Sequence, residues 1–292
     1  MPRTDPSASL VCQRIGVLTR TLPAARKGDA EALHKARVAS RRLRETLPLV
    51  ASGSTQRKLE RTVRRITRAL GPVRELDVEL EMLAEMEAAG DVPRAAVVRL
   101  RHVVSEERRG LHAQMLERLG RCGIDTLRRR AVAAARKGAK RGGARDAAQV
   151  AAARDRAARR AGRLALAIEN ASGLYLPDRL HEVRIGVKRL RYALELLSAV
   201  SRSRAEARLR TLRTAQNLLG RMHDLEVLIA RTRTVQGAPG APTLKQSGEL
   251  DRFVRCLETE CRRLHGHYMA SRAALLTICA RVAAGAPRRR AA

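Results

Sequence analysis

Apolar residues recur along the chain at the three- and four-residue spacing of amphipathic helices, and no segment alternates as a half-buried strand does. Glycine and proline clusters separate the apolar runs and mark where helices end. The pattern predicts helices over residues 7–22, 30–50, 54–90, 93–120, 145–171, 178–200, 203–235 and 247–284, with a break at Gly71-Pro72. Short connections between these helices predict an all-α protein built from two antiparallel four-helix bundles.

One segment occurs twice, once in each half of the chain. Residues 33–47 read LHKARVASRRLRETL and residues 180–194 read LHEVRIGVKRLRYAL, at an offset of 147 in a chain of 292 residues. We name these two segments the cassettes. Each has a histidine followed by basic residues three, seven, eight and ten positions later. The repetition indicates that the two bundles are pseudo-symmetric and arose by internal duplication.

The histidine and three of the basic residues in each cassette share one side of a helix, within an arc of about 80°. These residues are His34, Arg37, Arg41 and Arg44 in the first cassette and His181, Arg184, Lys188 and Arg191 in the second. Small and aliphatic residues cover the other side and are predicted to enter a core. They are Ala36, Ala39, Leu43 and Leu47 in the first cassette and Val183, Leu190 and Leu194 in the second. A solvated surface helix would explain one such pattern. Two copies in the same phase favour a binding site for an anion.

A second pair of matched segments follows the cassettes, at residues 61–80 and 210–229. Just before and within the first of them, four arginines fall on one helical face: Arg57, Arg61, Arg64 and Arg68. We name them the arginine stripe. Like charges at this spacing destabilise an isolated helix, so a compensating partner is expected. A chain of phosphates would supply that compensation.

The second copy of this segment is less basic. It keeps Arg210 and Arg213 but has Glu206 and Asn217 at the other two stripe positions. We therefore expect the two halves to bind an anion unequally. After its Leu-Gly pair, each copy carries a mixed-charge element, which is Arg74-Glu75-Leu76-Asp77 in the first and His223-Asp224-Leu225-Glu226 in the second. We interpret these carboxylates as ion-pair partners of arginines, with metal ligation as the alternative.

The composition also indicates an anionic partner. Lys and Arg number 60 against 29 Asp and Glu, which gives a net charge of +31 at pH 7. Such an excess favours polyanions, and the planar guanidinium can donate two parallel hydrogen bonds to one phosphate. Aromatic residues make up 1% of the chain and there is no Trp. Few platforms for stacking nucleic-acid bases exist, so phosphate alone is the expected target.

The remaining features set expectations for the compartment and the domains. The five cysteines show no disulfide or metal spacing, and no signal peptide or membrane span is visible. We expect a cytoplasmic protein that has no cofactor, no bound metal and no obligate protein partner. The predicted organisation is an N-terminal half at 1–120, a basic linker at 121–144, a C-terminal half at 145–284 and a basic tail at 285–292.

Taken together, the motifs resemble the conserved histidine α-helical domain (CHAD) family. The resemblance rests on the His-x-x-Arg-x-x-x-(Arg/Lys)-Arg-Leu-Arg segments at 34–44 and 181–191. It rests equally on the Leu-Gly-x-x-(Arg/His)-(Glu/Asp)-Leu-(Asp/Glu)-Val segments at 70–78 and 219–227. It implies two pseudo-symmetric four-helix bundles whose facing helices form a basic groove or pore. It also implies binding of inorganic polyphosphate and association with polyphosphate granules.

The family's motif residues carry over to both halves. In the first half they are His34, Arg37, Arg41, Arg44, Arg61 and Arg64; their counterparts are His181, Arg184, Lys188, Arg191, Arg210 and Arg213. Position 74 is Arg where its counterpart at 223 is His, which leaves the role of that position open. The triphosphate-processing domain found beside many relatives has no counterpart motif here, so its activity is not expected.

Three functions fit the sequence to different degrees. The leading hypothesis is non-enzymatic polyphosphate binding by charge neutralisation with counterion release. Weak nucleic-acid binding through charge alone is the second. The third is an enzyme in which His34 and His181 ligate a metal or accept a phosphoryl group, although no phosphate-binding loop or nucleophile motif is visible.

Overall fold

The computed structural model describes residues 5–139, 143–171, 173–201, 203, 205–237 and 243–285, without the side chains of 138, 139 and 143–146. These residues form helices and no strand, as the apolar spacing predicts. The helices are α1 Pro6–Arg26, α2 Ala30–Val50, α3 Gly53–Ala89, α4 Arg94–Gly120, α5 Ile124–Ala139, α6 Gly143–Asn170, α7 Pro177–Ser201, α8 Glu206–Gln236 and α9 Leu244–Ala284.

The described chain divides into two compact units. Unit 1 contains the described residues of 1–78, 104–151 and 199–201, and unit 2 contains those of 79–103, 152–198 and 202–292. Both units are therefore discontinuous in sequence. The assignment of 1–120 and 145–284 to two repeated halves, and the basic groove or pore, stay predictions. Most of the predicted basic tail, from residue 286 onward, lies outside the described residues.

Unit 1 is held together by apolar stripes at helical spacing. Helix α1 packs along α2 and against α5. From α2, the predicted stripe of Ala36, Ala39, Leu43 and Leu47 is buried, which confirms the helical phase derived for the first cassette. The carboxylate of Asp29 caps this helix by accepting the Ala32 N–H at 2.8 Å. The cap and the stripe fix where the cassette helix begins and which side faces the core.

Helix α3 is continuous where we predicted a break. Gly71 and Pro72 both lie within the helix Gly53–Ala89. Leu70 and Val73 flank the pair and are fully buried, at 0% exposure. Their packing offsets the backbone hydrogen bond that the proline removes, which costs about 3 kcal/mol or more in an isolated helix. Because α3 is continuous, the arginine stripe and the first mixed-charge element lie on the same helix.

Residues 124–139, which lie within the predicted basic linker of 121–144, form helix α5. Gly123 adopts a positive φ of 59° and turns the chain between α4 and α5. Leu127, Ala131 and Ala135 then recur every four residues and are buried in the unit 1 core. Because basic residues dominate the segment, the sequence analysis did not recognise this narrow apolar stripe.

In unit 2, apolar residues at helical spacing are also buried between packed helices. Helix α8 packs against α9. From α7, Val183, Leu190 and Leu194 are buried, as the second cassette predicts. Gly186 allows α6 to approach α7 closely, since a Cβ at this position would lie 2.9 Å from a Leu164 methyl carbon. No helix in the described part of the chain is long and apolar enough to cross a membrane.

The core position of α5 gives the first prediction. Leu127 is 2% exposed, so Leu127→Ala should lower the free energy of unfolding by about 2–5 kcal/mol, because it removes buried methyl groups and leaves a cavity. The matched control is Leu116→Ala, since Leu116 is 38% exposed and should change stability little. Urea denaturation followed by circular dichroism measures both. Equal losses for the two variants would contradict a packed α5.

Candidate anion-binding site

The cassette of unit 1 is joined to α3 by polar contacts that fix the register of the two helices. The Arg37 guanidinium donates from Nη1 to the Gly71 carbonyl oxygen at 3.0 Å and from Nη2 to Glu75 Oε1 at 3.4 Å. One turn further along α2, Ser40 Oγ accepts a hydrogen bond from the hydroxyl of Thr67 on α3 at 2.8 Å. Residue numbers rise on α2 as they fall on α3, so the helices run antiparallel.

This register brings the cations of the cassette beside the arginine stripe. Continuing it by one turn places Arg44 of α2 at the level of Arg64 of α3, and Arg41 close to the level of Arg68. Arg41 and Arg44 share the arc of Arg37, which faces α3. The four stripe arginines share the side of α3 that carries Glu75. Two rows of cations therefore run side by side in unit 1.

Most of these cations lack an internal partner. The four stripe arginines are exposed, and Arg41 and Arg44 are partly exposed. None of the six makes an ion pair or a side-chain hydrogen bond within the described chain. Neighbouring like charges at this spacing destabilise a helix by about 0.2–0.5 kcal/mol per pair. These six arginines thus form a charged strip on the α2–α3 surface of unit 1 that has no ion-pair partner among the described residues, and we call it the cationic strip.

In unit 2, the second cassette is joined to α8 in the same antiparallel sense. His181 and His223 approach with their Nδ1 atoms 3.3 Å apart, and Arg191 Nε donates to Gln216 Oε1 at 2.8 Å. Subtracting the sequence offsets, 147 for α7 and 149 for α8, gives the corresponding positions on α2 and α3. The histidine pair corresponds to positions 34 and 74, and the Arg191–Gln216 contact corresponds to positions 44 and 67. Both cassettes therefore meet the helix of the second matched segment at equivalent levels.

Charges in unit 2 are more fully neutralised than those of the cationic strip. Arg184 lies 3.9 Å from Asp224, and Arg213 donates to Glu206 at 2.9 Å. Lys188 is partly exposed and Arg210 is exposed. Glu206 replaces the first arginine of the stripe and supplies the carboxylate for Arg213. This compensation matches the unequal charge expected from the sequence.

Arg191 occupies a different environment from the other cassette cations. It is 8% exposed, its Nη1 donates to Glu195, and its guanidinium carbon lies 4.5 Å from the centre of the Tyr192 ring. Together with the Gln216 contact, these interactions give the Arg191 guanidinium several partners within unit 2. The first cassette has partly exposed Arg44 at this position.

The electrostatics of the histidine pair follow from burial and from adjacent cations. Burial, the charge of Arg184, and then His181 and Lys188 lower the pKa of His223 to about 4. Burial, followed by Arg184 and Lys188, also lowers the pKa of His181. Both imidazoles are therefore neutral at pH 7 in the free protein. The first cassette's His34 is exposed.

The mixed-charge elements act as predicted at three of four carboxylates. Glu75 pairs with Arg37, Asp77 accepts from Arg108 Nε at 2.5 Å, and Asp224 pairs with Arg184. Glu226 differs, because it accepts the hydroxyl of Tyr175 and no arginine pair with it is observed in the described chain. Three of the four carboxylates therefore orient arginines. Within the described residues, no group of three or more His, Cys, Asp or Glu side chains could hold a metal ion.

Two groups of polar residues could not be found from the sequence motifs. Glu79 is buried and accepts hydrogen bonds from Arg231 of α8, although the two residues are far apart in the chain. Tyr175 lies before α7, where it contacts Glu226 and packs edge-on against His265 with ring centres 5.3 Å apart. Burial raises its pKa, and so do its contacts with Cys261 and Glu226. Neither group has a counterpart at the matched sequence offsets, so the repeated motifs gave no signal for them.

Comparison with known proteins agrees with the motif order. A family model described as the CHAD domain matches residues 10–233. The match covers most of the chain and includes both cassettes and both mixed-charge elements. The protein belongs to the CHAD domain family. No curated protein matches the chain significantly.

Solved structures share the fold at low sequence identity. The crystal structure of the CHAD domain from the plant Ricinus communis superposes with a TM-score of 0.58 at 21% identity, covering 98% of this chain and 94% of that chain. PptA from Streptomyces chartreusis superposes with a TM-score of 0.65 at 16% identity, covering 93% of this chain and 99% of that chain. At these identities the likeness shows the fold alone.

The environment of Arg191 yields a second prediction. Arg191→Ala should lower the free energy of unfolding by several kcal/mol, on the order of 3, because it leaves Glu195 largely buried without its cation. The control Arg210→Ala removes an exposed cation and should change stability by less than about 0.5 kcal/mol. Urea denaturation near neutral pH measures both. If the two variants were equally stable, Arg191 would have no structural role.

Proposed function

We propose that this protein binds inorganic polyphosphate without chemically altering it. The observation that carries the proposal is the cationic strip, in which exposed and partly exposed arginines of α2 and α3 have no carboxylate or hydrogen-bonding partner in the described chain. A polyanion lying along the strip would remove the repulsion between these side chains. It would also release its own condensed counterions, which is the main driving force for binding a phosphate backbone.

The shape of the strip supports a linear ligand. From Arg57 to Arg68 the stripe extends over about 16 Å at 1.5 Å per residue. A chain of linked phosphates offers negative charge continuously over such a length, whereas a single phosphate would meet only one or two guanidinium groups. Each guanidinium can donate paired hydrogen bonds to phosphate oxygens. A linear array of donors therefore favours a linear acceptor.

Binding without catalysis is the simpler use of these side chains. Guanidinium groups stay protonated and supply charge and hydrogen bonds, but they provide neither a nucleophile nor a general base at neutral pH. The scarcity of aromatic residues favours phosphate over bases as the recognised group, so long polyphosphate should displace nucleic acid from the protein. We further propose that the protein associates with polyphosphate granules, where many chains are presented together and several strips can engage.

The proposed binding residues are not equal. In unit 1, the stripe together with Arg41 and Arg44 forms the main contact surface, and His34 and Arg37 lie along the same arc of α2. In unit 2, Arg184, Lys188, Arg210 and Arg213 supply a weaker surface, because nearby carboxylates already neutralise part of it. Arg191 is proposed to hold α7 and α8 together.

This ranking gives the third prediction. Arg61→Glu with Arg64→Glu should weaken polyphosphate binding by on the order of 100-fold, since two charge-assisted contacts become repulsive. Arg210→Glu with Arg213→Glu should weaken it less, because Glu206 already offsets Arg213 in the native protein. Isothermal titration calorimetry with polyphosphate of uniform length compares the affinities. Circular dichroism verifies that helix content is kept.

The control must change net charge equally at an exposed site outside the cassettes and the arginine stripe. Arg252→Glu with Arg255→Glu fits, because both arginines are exposed on α9 at the same three-residue spacing. This variant should bind nearly as well as the wild type. If it lost as much affinity as the stripe variant, binding would be diffuse electrostatics and the residue assignments would be wrong. The charges of Arg288 and Arg290 would serve the same purpose, but they lie outside the described residues.

A further inference from the structure

The contact between His181 and His223 in unit 2 restricts which ring nitrogen atoms carry protons. A neutral imidazole carries one N–H and one acceptor nitrogen. With the two Nδ1 atoms 3.3 Å apart, one ring must donate and the other must accept. The pair therefore holds a single proton between its Nδ1 atoms. Each ring also has an Nε2 atom, and in the neutral pair only the acceptor ring carries a proton there.

Charged groups on both helices that bear the pair lie near it. On α7, Arg184 and Lys188 oppose protonation of His181, while Asp178 and Glu182 favour it. On α8, Asp224 follows His223 and lies 3.9 Å from Arg184. Burial is the largest cause that keeps the free pair neutral near pH 7, and the adjacent cations outweigh these carboxylates. An anion beside Arg184 and Lys188 would offset their charge and favour the protonated form of the pair.

Unit 1 has a different residue at the matched position. The offset of 149 that relates the two segments aligns His223 with Arg74. Arginine keeps its charge at every physiological pH, whereas a histidine gains charge only when its surroundings favour it. The chain therefore carries a permanent cation at this level of α3 and a conditional one at the same level of α8.

We propose that the His181–His223 pair is a subsite for condensed phosphate that takes up a proton when the anion binds, an inference that rests on the proposed function. The proton comes from solvent and adds to Nε2 of the donor ring. That ring becomes an imidazolium whose Nδ1–H still donates to its partner. Both Nε2 atoms then carry hydrogens that can be donated to phosphate oxygens. No covalent bond other than N–H forms or breaks.

The direction of the pH dependence follows from the free and bound states. The pKa of the pair is low in the free protein and rises when a polyanion offsets the adjacent cations. The complex then holds more protons than the free protein over the interval between the two values. Affinity therefore increases as pH falls through that interval, by up to about tenfold per pH unit for each proton taken up. The gain is complete below the free pKa, which for His223 is about 4.

The experiment measures proton uptake directly. Polyphosphate of uniform length is titrated into the protein at pH 6.5 in buffers of different ionisation enthalpy, so that the buffer dependence of the heat gives the number of protons bound. Wild type should take up more protons than the double variant His181→Gln with His223→Gln, by a difference approaching one per protein. The control His267→Gln removes an exposed histidine of α9 and should match the wild type. Protons taken up by the phosphate ends are common to all three proteins and cancel.

A second variant keeps the test valid if the glutamine variant folds poorly. His223→Arg copies the residue of unit 1, so it should bind at least as tightly as the wild type while its affinity changes less between pH 7.5 and pH 6. Equal proton uptake by the wild type and a folded, binding-competent His181→Gln, His223→Gln double variant would overturn the subsite and leave the proposed function standing. Failure of the wild type to bind polyphosphate would overturn both.

Discussion

Repulsion between like charges is the constraint on which the arrangement of this protein depends. With 60 basic and 29 acidic side chains, most cations cannot have a carboxylate of their own. Several of the available carboxylates are used inside the units. In three of these ion pairs the carboxylate is mostly buried. The pairs are Asp77–Arg108, Glu79–Arg231 and Glu195–Arg191. These pairs orient arginines that would otherwise be expensive to bury. Six of the remaining cations lie together on the α2–α3 surface of unit 1.

Packing makes this concentration of charge possible. Helix α2 is anchored by an apolar stripe on one side, and α3 by residues such as Val63, Ile66 and Leu70, which are fully buried. Each helix is thereby held in place while its cationic side stays accessible. The continuous α3 matters here, because a break at Gly71-Pro72 would separate the Arg37 contacts from the arginine stripe. The repulsion within the strip is small per pair, and a packed core outweighs it easily. The proposed anion would then meet a surface that is already organised.

The sequence predicted the elements that obey a simple period and failed where another interaction overrides it. The helical phase of both cassettes followed from spacing alone, because apolar and cationic residues occupy opposite sides. Family membership followed from four motifs in the right order. Helix α5 was missed because its basic residues resemble a solvated linker, while only three apolar positions mark its buried side. The burial of Arg191 and the pairing of Glu226 with Tyr175 depend on residues distant in sequence, such as Gln216, which no local pattern connects to them.

The central claim is that the cationic strip recognises a chain of phosphates through charge. The most direct test is a titration of the pure protein with orthophosphate, tripolyphosphate and long-chain polyphosphate at a series of salt concentrations. If the claim holds, affinity rises with chain length, and its logarithm falls linearly with the logarithm of salt, with a steeper slope for chains that neutralise more cations. Binding that is insensitive to salt, or equal affinity for orthophosphate and long chains, would contradict it.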